Sequence, residues 1–72
     1  MSTRLVVGQK VLVTGLSLQY SDYVNLDGEV VSLDGEYVRV AILKKKIFAE
    51  DLEELRKSGD KAFIRVKTKQ VV

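Results

Sequence analysis

The sequence predicts an all-β fold, a small five-stranded antiparallel barrel with one short helix before the last strand. Three observations predict it. Apolar and polar residues alternate around Val11 and Val13, around Val38, Val40 and Ile42, and around Ile64, Val66 and Thr68. Asp34-Gly35 stands between two apolar runs, a strong short-range hairpin signal. At 72 residues the chain fits one domain, 1–72, and closing so small a sheet into a barrel removes the bare edges that a flat sheet would leave.

The elements follow in order. "QKVLVTG" supplies the first strand, and the polar stretch "GLSLQYSDYVN" reads as a long loop. LDGE then occurs twice, seven residues apart, in "NLDGEVVSLDGEYVRV". Seven residues are too few for a repeated supersecondary unit, so the copies mark the start and end of one strand, with Gly28 opening it. Asp34-Gly35 forms a two-residue type I′ turn, which sets Leu33 opposite Glu36, Ser32 opposite Tyr37 and Val31 opposite Val38. Val31, Leu33, Val38, Val40 and Ile42 then share the buried face, and Tyr37, Arg39 and Ala41 point outward. Val30, apolar beside Val31, signals a bulge or a position under a loop. "KKKIFA" reads as a fourth short strand after a lysine-bearing turn. "AEDLEELRKSG" has Leu52 and Leu55 at helical spacing, acids first, Arg56 and Lys57 last, and Gly59 as C-cap, giving a helix of one to three turns. "AFIRVKTK" is the last strand. The expected core is Val11, Val13, Val31, Leu33, Val38, Val40, Ile42, Phe48, Leu52, Leu55, Ile64 and Val66.

Composition removes several chemistries. There is no Cys and no His, which excludes disulfides, thiolate and imidazole metal sites, cysteine nucleophiles and Ser-His-Asp triads. Glu50 with Asp51, and Glu53 with Glu54, are neighbours that diverge on a helix, so they read as a solvated face rather than an acid–base pair. The chain is expected to be no enzyme, with no metal, no cofactor and no small-molecule substrate. Gly8, Gln9 and Lys10 interrupt the N-terminal apolar run, no stretch is long enough to span a membrane, and a cytoplasmic location is the expectation.

The net charge of +2 is small, but the charge is segregated. Glu50, Asp51, Glu53, Glu54 and Asp60 outweigh Arg56 and Lys57, while residues 61–72 carry Lys61, Arg65, Lys67 and Lys69 with no acid. With Ile64, Val66 and Thr68 facing inward, Phe63, Arg65, Lys67 and Lys69 lie on the other side of the strand. Cations beside an aromatic ring suit phosphates and bases, and pairing of the first strand with the last would add Lys10. Lys44, Lys45 and Lys46 form a second cluster that is either a soluble tip or an auxiliary contact. Leu18, Tyr20 and Tyr23 in the long loop either cap the end of the fold or dock a protein partner.

The pattern Gly8, Val11, Val13, Gly15, then Gly28 and Val30 resembles the KOW-type version of the SH3-like barrel, over roughly residues 7–57. A dozen residues separate Gly15 from Gly28, more than KOW domains usually carry. The resemblance implies binding of RNA, DNA or polymerase, as in ribosomal proteins and transcription elongation factors. Other small barrels of this shape dock onto proteins, as in photosystem and thioredoxin-reductase accessory subunits. The expected function is therefore a non-enzymatic module that contacts nucleic acid weakly and without sequence preference, or a protein of the transcription or translation machinery. The alternative is an accessory docking subunit or regulator that touches no nucleic acid.

Overall fold

The computed structural model describes residues 5–72. The strands are β1 (Lys10–Val13), β2 (Leu16–Ser17), β3 (Asp22–Tyr23), β4 (Leu26–Asp34), β5 (Tyr37–Leu43), β6 (Arg56–Ser58) and β7 (Lys61–Lys67), and a one-turn helix, α1 (Ala49–Leu52), precedes β6. Five strands make one antiparallel sheet in the order β1-β4-β5-β7-β6, and β2 with β3 makes a small separate ladder. The all-β class and the short helix before the last strand are as predicted.

Period-2 alternation places the core as expected in β5 and β7. Val38, Val40 and Ile42 on one strand, and Ala62, Ile64 and Val66 on the other, point inward and are buried. Val11 and Val13 join them from β1. The two LDGE copies do mark the two ends of one strand, although β4 opens at Leu26 rather than Gly28. Gly28 is needed for another reason. A Cβ built there would collide with the Val40 side chain and lie 3.1 Å from the Ala41 carbonyl oxygen, so only glycine lets β4 cross the core at this point.

The hairpin differs from expectation by one residue. Asp34 pairs with Tyr37, which makes Gly35-Glu36 the two-residue turn. Gly35 has φ of 60°, while Asn25 is the only non-glycine described residue with positive φ, so Glu36 is not left-handed. Glycine in the first central position alone is the type II′ pattern, not type I′. Leu33 now faces Val38 and Ser32 faces Arg39. The register then shifts between Val30 and Ser32, leaving Val31 as the bulge residue, so that Val30 takes the buried place opposite Val40. Val31 is 38% exposed, and Leu33, at the hairpin tip where no layer covers it, is 46% exposed.

Residues 44–49 form no strand. Lys44–Lys46 is a 3₁₀ turn, closed by Ile47 N–H donating to the Lys44 carbonyl and tied to the next hairpin by Lys44 N–H donating to Asp60 O. The strand that flanks β7 comes instead from Arg56–Ser58, which curtails the helix at one turn and places Gly59 in the β6–β7 turn rather than at a helix C-terminus. Phe48 is exposed, and Leu52 and Leu55 pack against the core only partly buried. Core places not foreseen go to Leu16, Tyr23, Leu26, Val30, Ala41, Ile47 and Ala62.

The first and last strands do not pair with each other. After β7 the chain makes a 3₁₀ turn at Thr68–Gln70, and the residues beyond it lie along β1. Val13 bridges Val71, Leu12 N–H donates to Val72 O at 3.0 Å, and Val72 N–H donates to Leu12 O at 2.8 Å. The flank of β1 that faces away from β4 is thus held by residues 70–72.

Candidate nucleic-acid interface

The outer face of the sheet follows from the inner one. With Ala62, Ile64 and Val66 inward, Lys61, Phe63, Arg65 and Lys67 point outward from β7, as expected. On β5, Val38, Val40 and Ile42 face inward and Tyr37 and Arg39 outward, while Ala41, on the outward side by alternation, is nevertheless buried. Ladder register sets Arg39 directly opposite Arg65, Tyr37 opposite Lys67 and Ala41 opposite Phe63. Arg39, Arg65 and Lys67 therefore occupy one end of a two-strand surface.

Opposed cations in adjacent strands have Cβ atoms about 4.5–5.5 Å apart and repel, so the Arg39–Arg65 pair costs stability unless an anion relieves it. Asp34 gives little relief. Its carboxylate is 3.9 Å from the Arg65 guanidinium, and the two side chains are 82% and 57% exposed, a pair that water screens. Arg65 is instead held by stacking, its guanidinium carbon 4.3 Å from the centroid of the Tyr37 ring, a diagonal neighbour across the ladder. Ser32, Asp34, Tyr37, Arg39 and Arg65 border a shallow hollow of about 250 Å³. Tyr37 and Arg39 complete the patch that Arg65 and Lys67 begin. Their outward alternation was visible in the sequence, but only the register across to β7 shows that they stand beside Arg65.

The remaining candidate cations are dispersed. Lys69 is exposed in the turn after β7 and, with Lys67, Thr68 and Glu36, borders a neighbouring hollow. Lys10 lies opposite Glu29 on β1, with β4 and β5 between it and β7. Lys10 therefore lies away from Arg65 and Lys67 and borders, with Asp27, Glu29 and Lys61, a hollow at the other end of the face. Lys44, Lys45 and Lys46 sit at the far end of β5. Lys46 pairs with Asp27 at 3.1 Å, and Lys44 and Lys45 border a hollow with Asp60. Both ends of the face carry both signs, and the Lys67 end sets Arg39, Arg65, Lys67 and Lys69 against Asp34 and Glu36.

Within the long loop, Tyr23 is buried and Leu18 packs on the core, whereas Tyr20 is 57% exposed. A buried carboxylate anchors this loop. Asp51, 2% exposed, accepts from Tyr23 Oη at 2.6 Å through one oxygen and from Tyr20 N–H at 2.8 Å through the other. Tyr23 Oη in turn accepts from Phe48 N–H at 3.0 Å, and the Tyr23 and Phe48 rings pack with centroids 5.8 Å apart. Burial, followed by donation to Asp51, raises the Tyr23 pKa above the usual phenol value. Every polar atom of this cluster has a partner, so it fastens the loop to α1 and offers no free ligand-binding group.

Among the described residues no group of three or more carboxylates is placed to hold a metal ion, and no helix is long and apolar enough to cross a membrane. No family model, no curated protein and no solved structure matches the chain, so any assignment of function rests on the β5–β7 face itself.

Proposed function

We propose that this protein is a non-enzymatic binding module that contacts nucleic acid, alone or within a polymerase or ribosome assembly, through the outer face of β5 and β7. The observation that carries this reading is the opposed Arg39–Arg65 pair, relieved only by the exposed Asp34 contact, with Lys67 beside it and the Tyr37 ring against Arg65. Cations spaced along a strand reach phosphates, and planar side chains reach bases. The glycine and valine pattern that resembles KOW-type domains supports the same class. Three cations neutralise few phosphates, so contact is weak, independent of sequence and salt-sensitive, and a partner protein supplies specificity. Lys69 extends this patch, and Lys10 with Lys44, Lys45 and Lys46 gives outlying contacts.

The test is a titration of binding to single-stranded RNA and to random duplex DNA against salt. Engagement of three phosphates predicts a slope of log K on log salt of about −2 to −3. Replacing Arg65 and Lys67 together by Glu should abolish binding while the protein still folds, as a cooperative thermal melt would show, because both side chains are exposed. Equal binding by parent and variant, or none by either, would transfer the function to a protein-docking surface. Tyr20 and Phe48, 57% and 56% exposed around the Asp51 anchor, favour that second reading.

A further inference from the structure

Resting on the nucleic-acid reading above, we infer that the occupant of the β5–β7 face is a single strand, with neighbouring unpaired bases laid on Arg65 and on Phe63. Arg65 is a prepared plate. Its guanidinium is stacked on the Tyr37 ring at 4.3 Å, and the side chain is still 57% exposed, so one face is braced while much of the group remains open to a ligand. A planar cation held in this way accepts an unpaired base as an aromatic ring does. Phe63 stands two residues before Arg65 on the same outer face of β7, half-buried between Ala41 and Arg56 of the flanking strands.

Stacking decides between single strand and duplex. Side chains two apart on a strand are about 6.6–6.8 Å apart, room for two separate bases. Paired bases in a duplex stack on one another at about 3.4 Å with both faces covered, so an interior base of a duplex can lie on neither plate. Bases unstacked from one another can lie on both. Arg39 and Lys67 then flank the plates on either strand, where the linking phosphates would run.

The shape and charge of the rim point the same way. Reading a duplex groove takes a protruding helix or ribbon. The element that projects beside the patch is the β4–β5 hairpin tip, and it carries Asp34 and Glu36, both exposed, which repel phosphates. Helix α1 is one turn long and follows the opposite end of β5. The face offers an open two-strand surface to a flexible strand and no helix to insert into a groove.

The experiment compares the intact protein with labelled oligouridylate, oligothymidylate and a duplex of matched length by fluorescence anisotropy at low salt. The single strands should bind at least about ten-fold more tightly than the duplex. Arg65→Lys, at an exposed position, keeps the charge and loses the plane. It should weaken single-strand binding about five-fold or more while the salt slope stays that of the parent, a separation that loss of a phosphate contact would not produce. Phe63→Leu should behave likewise, with circular dichroism as the check that the half-buried position still packs. A duplex bound as tightly as the single strands, or an Arg65→Lys protein that binds like the parent, overturns the single-strand inference and leaves the broader nucleic-acid reading standing. Absence of binding to all three overturns both.

Discussion

Replacing Tyr23 by Phe removes one oxygen atom and breaks the anchor between the long loop and α1. The hydroxyl donates to the buried Asp51 carboxylate at 2.6 Å and accepts from Phe48 N–H at 3.0 Å. A hydrogen bond to a charged group is worth about 1.5–3 kcal/mol, and a buried partner left unpaired costs about 1–3 kcal/mol. Asp51 retains only the Tyr20 N–H of its two donors from the loop, and water at the margin recovers part of what is lost. The expected net loss is about 2–4 kcal/mol. A core of this size supplies about 3–5 kcal/mol, so the variant should approach its unfolding midpoint in dilute urea. Urea denaturation followed by circular dichroism at neutral pH measures the change. The pH profile gives a second reading. Because the folded state raises the Tyr23 pKa above 10.0, this group's contribution is complete below the unfolded value and is lost as pH rises through the folded one. The parent should weaken progressively above about pH 10, and the Phe variant should lack this portion of the alkaline loss. A urea midpoint equal to the parent's would refute the argument, as would superimposable alkaline profiles.

Two further stability predictions follow from the core. Gly28→Ala should destabilise by about 1–3 kcal/mol in a thermal melt, because the added methyl meets the stiff, fully buried Val40 and the Ala41 carbonyl. Val40→Ala should cost about 1–3 kcal/mol, whereas Val31→Ala, at the exposed bulge, should stay within about 0.5 kcal/mol. Equal losses at positions 31 and 40 would contradict the observed register. Unchanged stability in Gly28→Ala would show that β4 does not pass so close to β5.

The strands with uninterrupted alternation were readable from residues alone, since Val38, Val40 and Ile42, like Ile64 and Val66, can satisfy only one face at a time. The turn was located to within one residue. Asp34-Gly35 and Gly35-Glu36 place the same glycine in two turn types, and the register of β4 against β5, with its shift at Val31, goes with the second. Val31 and Val30 are chemically identical, so which of them is buried depends on the bulge and not on hydrophobicity. Tertiary pairing also overrode a local preference at Arg56–Ser58, where helical spacing from Leu52 and Leu55 yielded to the open flank of β7. Tyr23 and Leu26 stand among polar neighbours, and only the Asp51 anchor and the β4 ladder bring them inside. At the candidate interface, Phe63, Arg65 and Lys67 were placed correctly on one face by period alone. Arg39 and Tyr37 required knowledge of which strand lies next to which.

The contact between β1 and the chain's last residues bears on how the molecule folds. The β4–β5 hairpin closes a two-residue turn, and β6–β7 is equally local, so both can form early at small entropic cost. Joining Leu12 to Val72 closes a loop that contains nearly the whole described chain, and long-range contacts of this kind slow folding. During synthesis β1 leaves the ribosome long before its partner exists. Until residues 71 and 72 arrive, the first strand has one unpaired flank bearing Leu12 and Val13, a surface on which a second nascent chain can pair. Pairing with residues 71 and 72 withdraws this flank from intermolecular pairing.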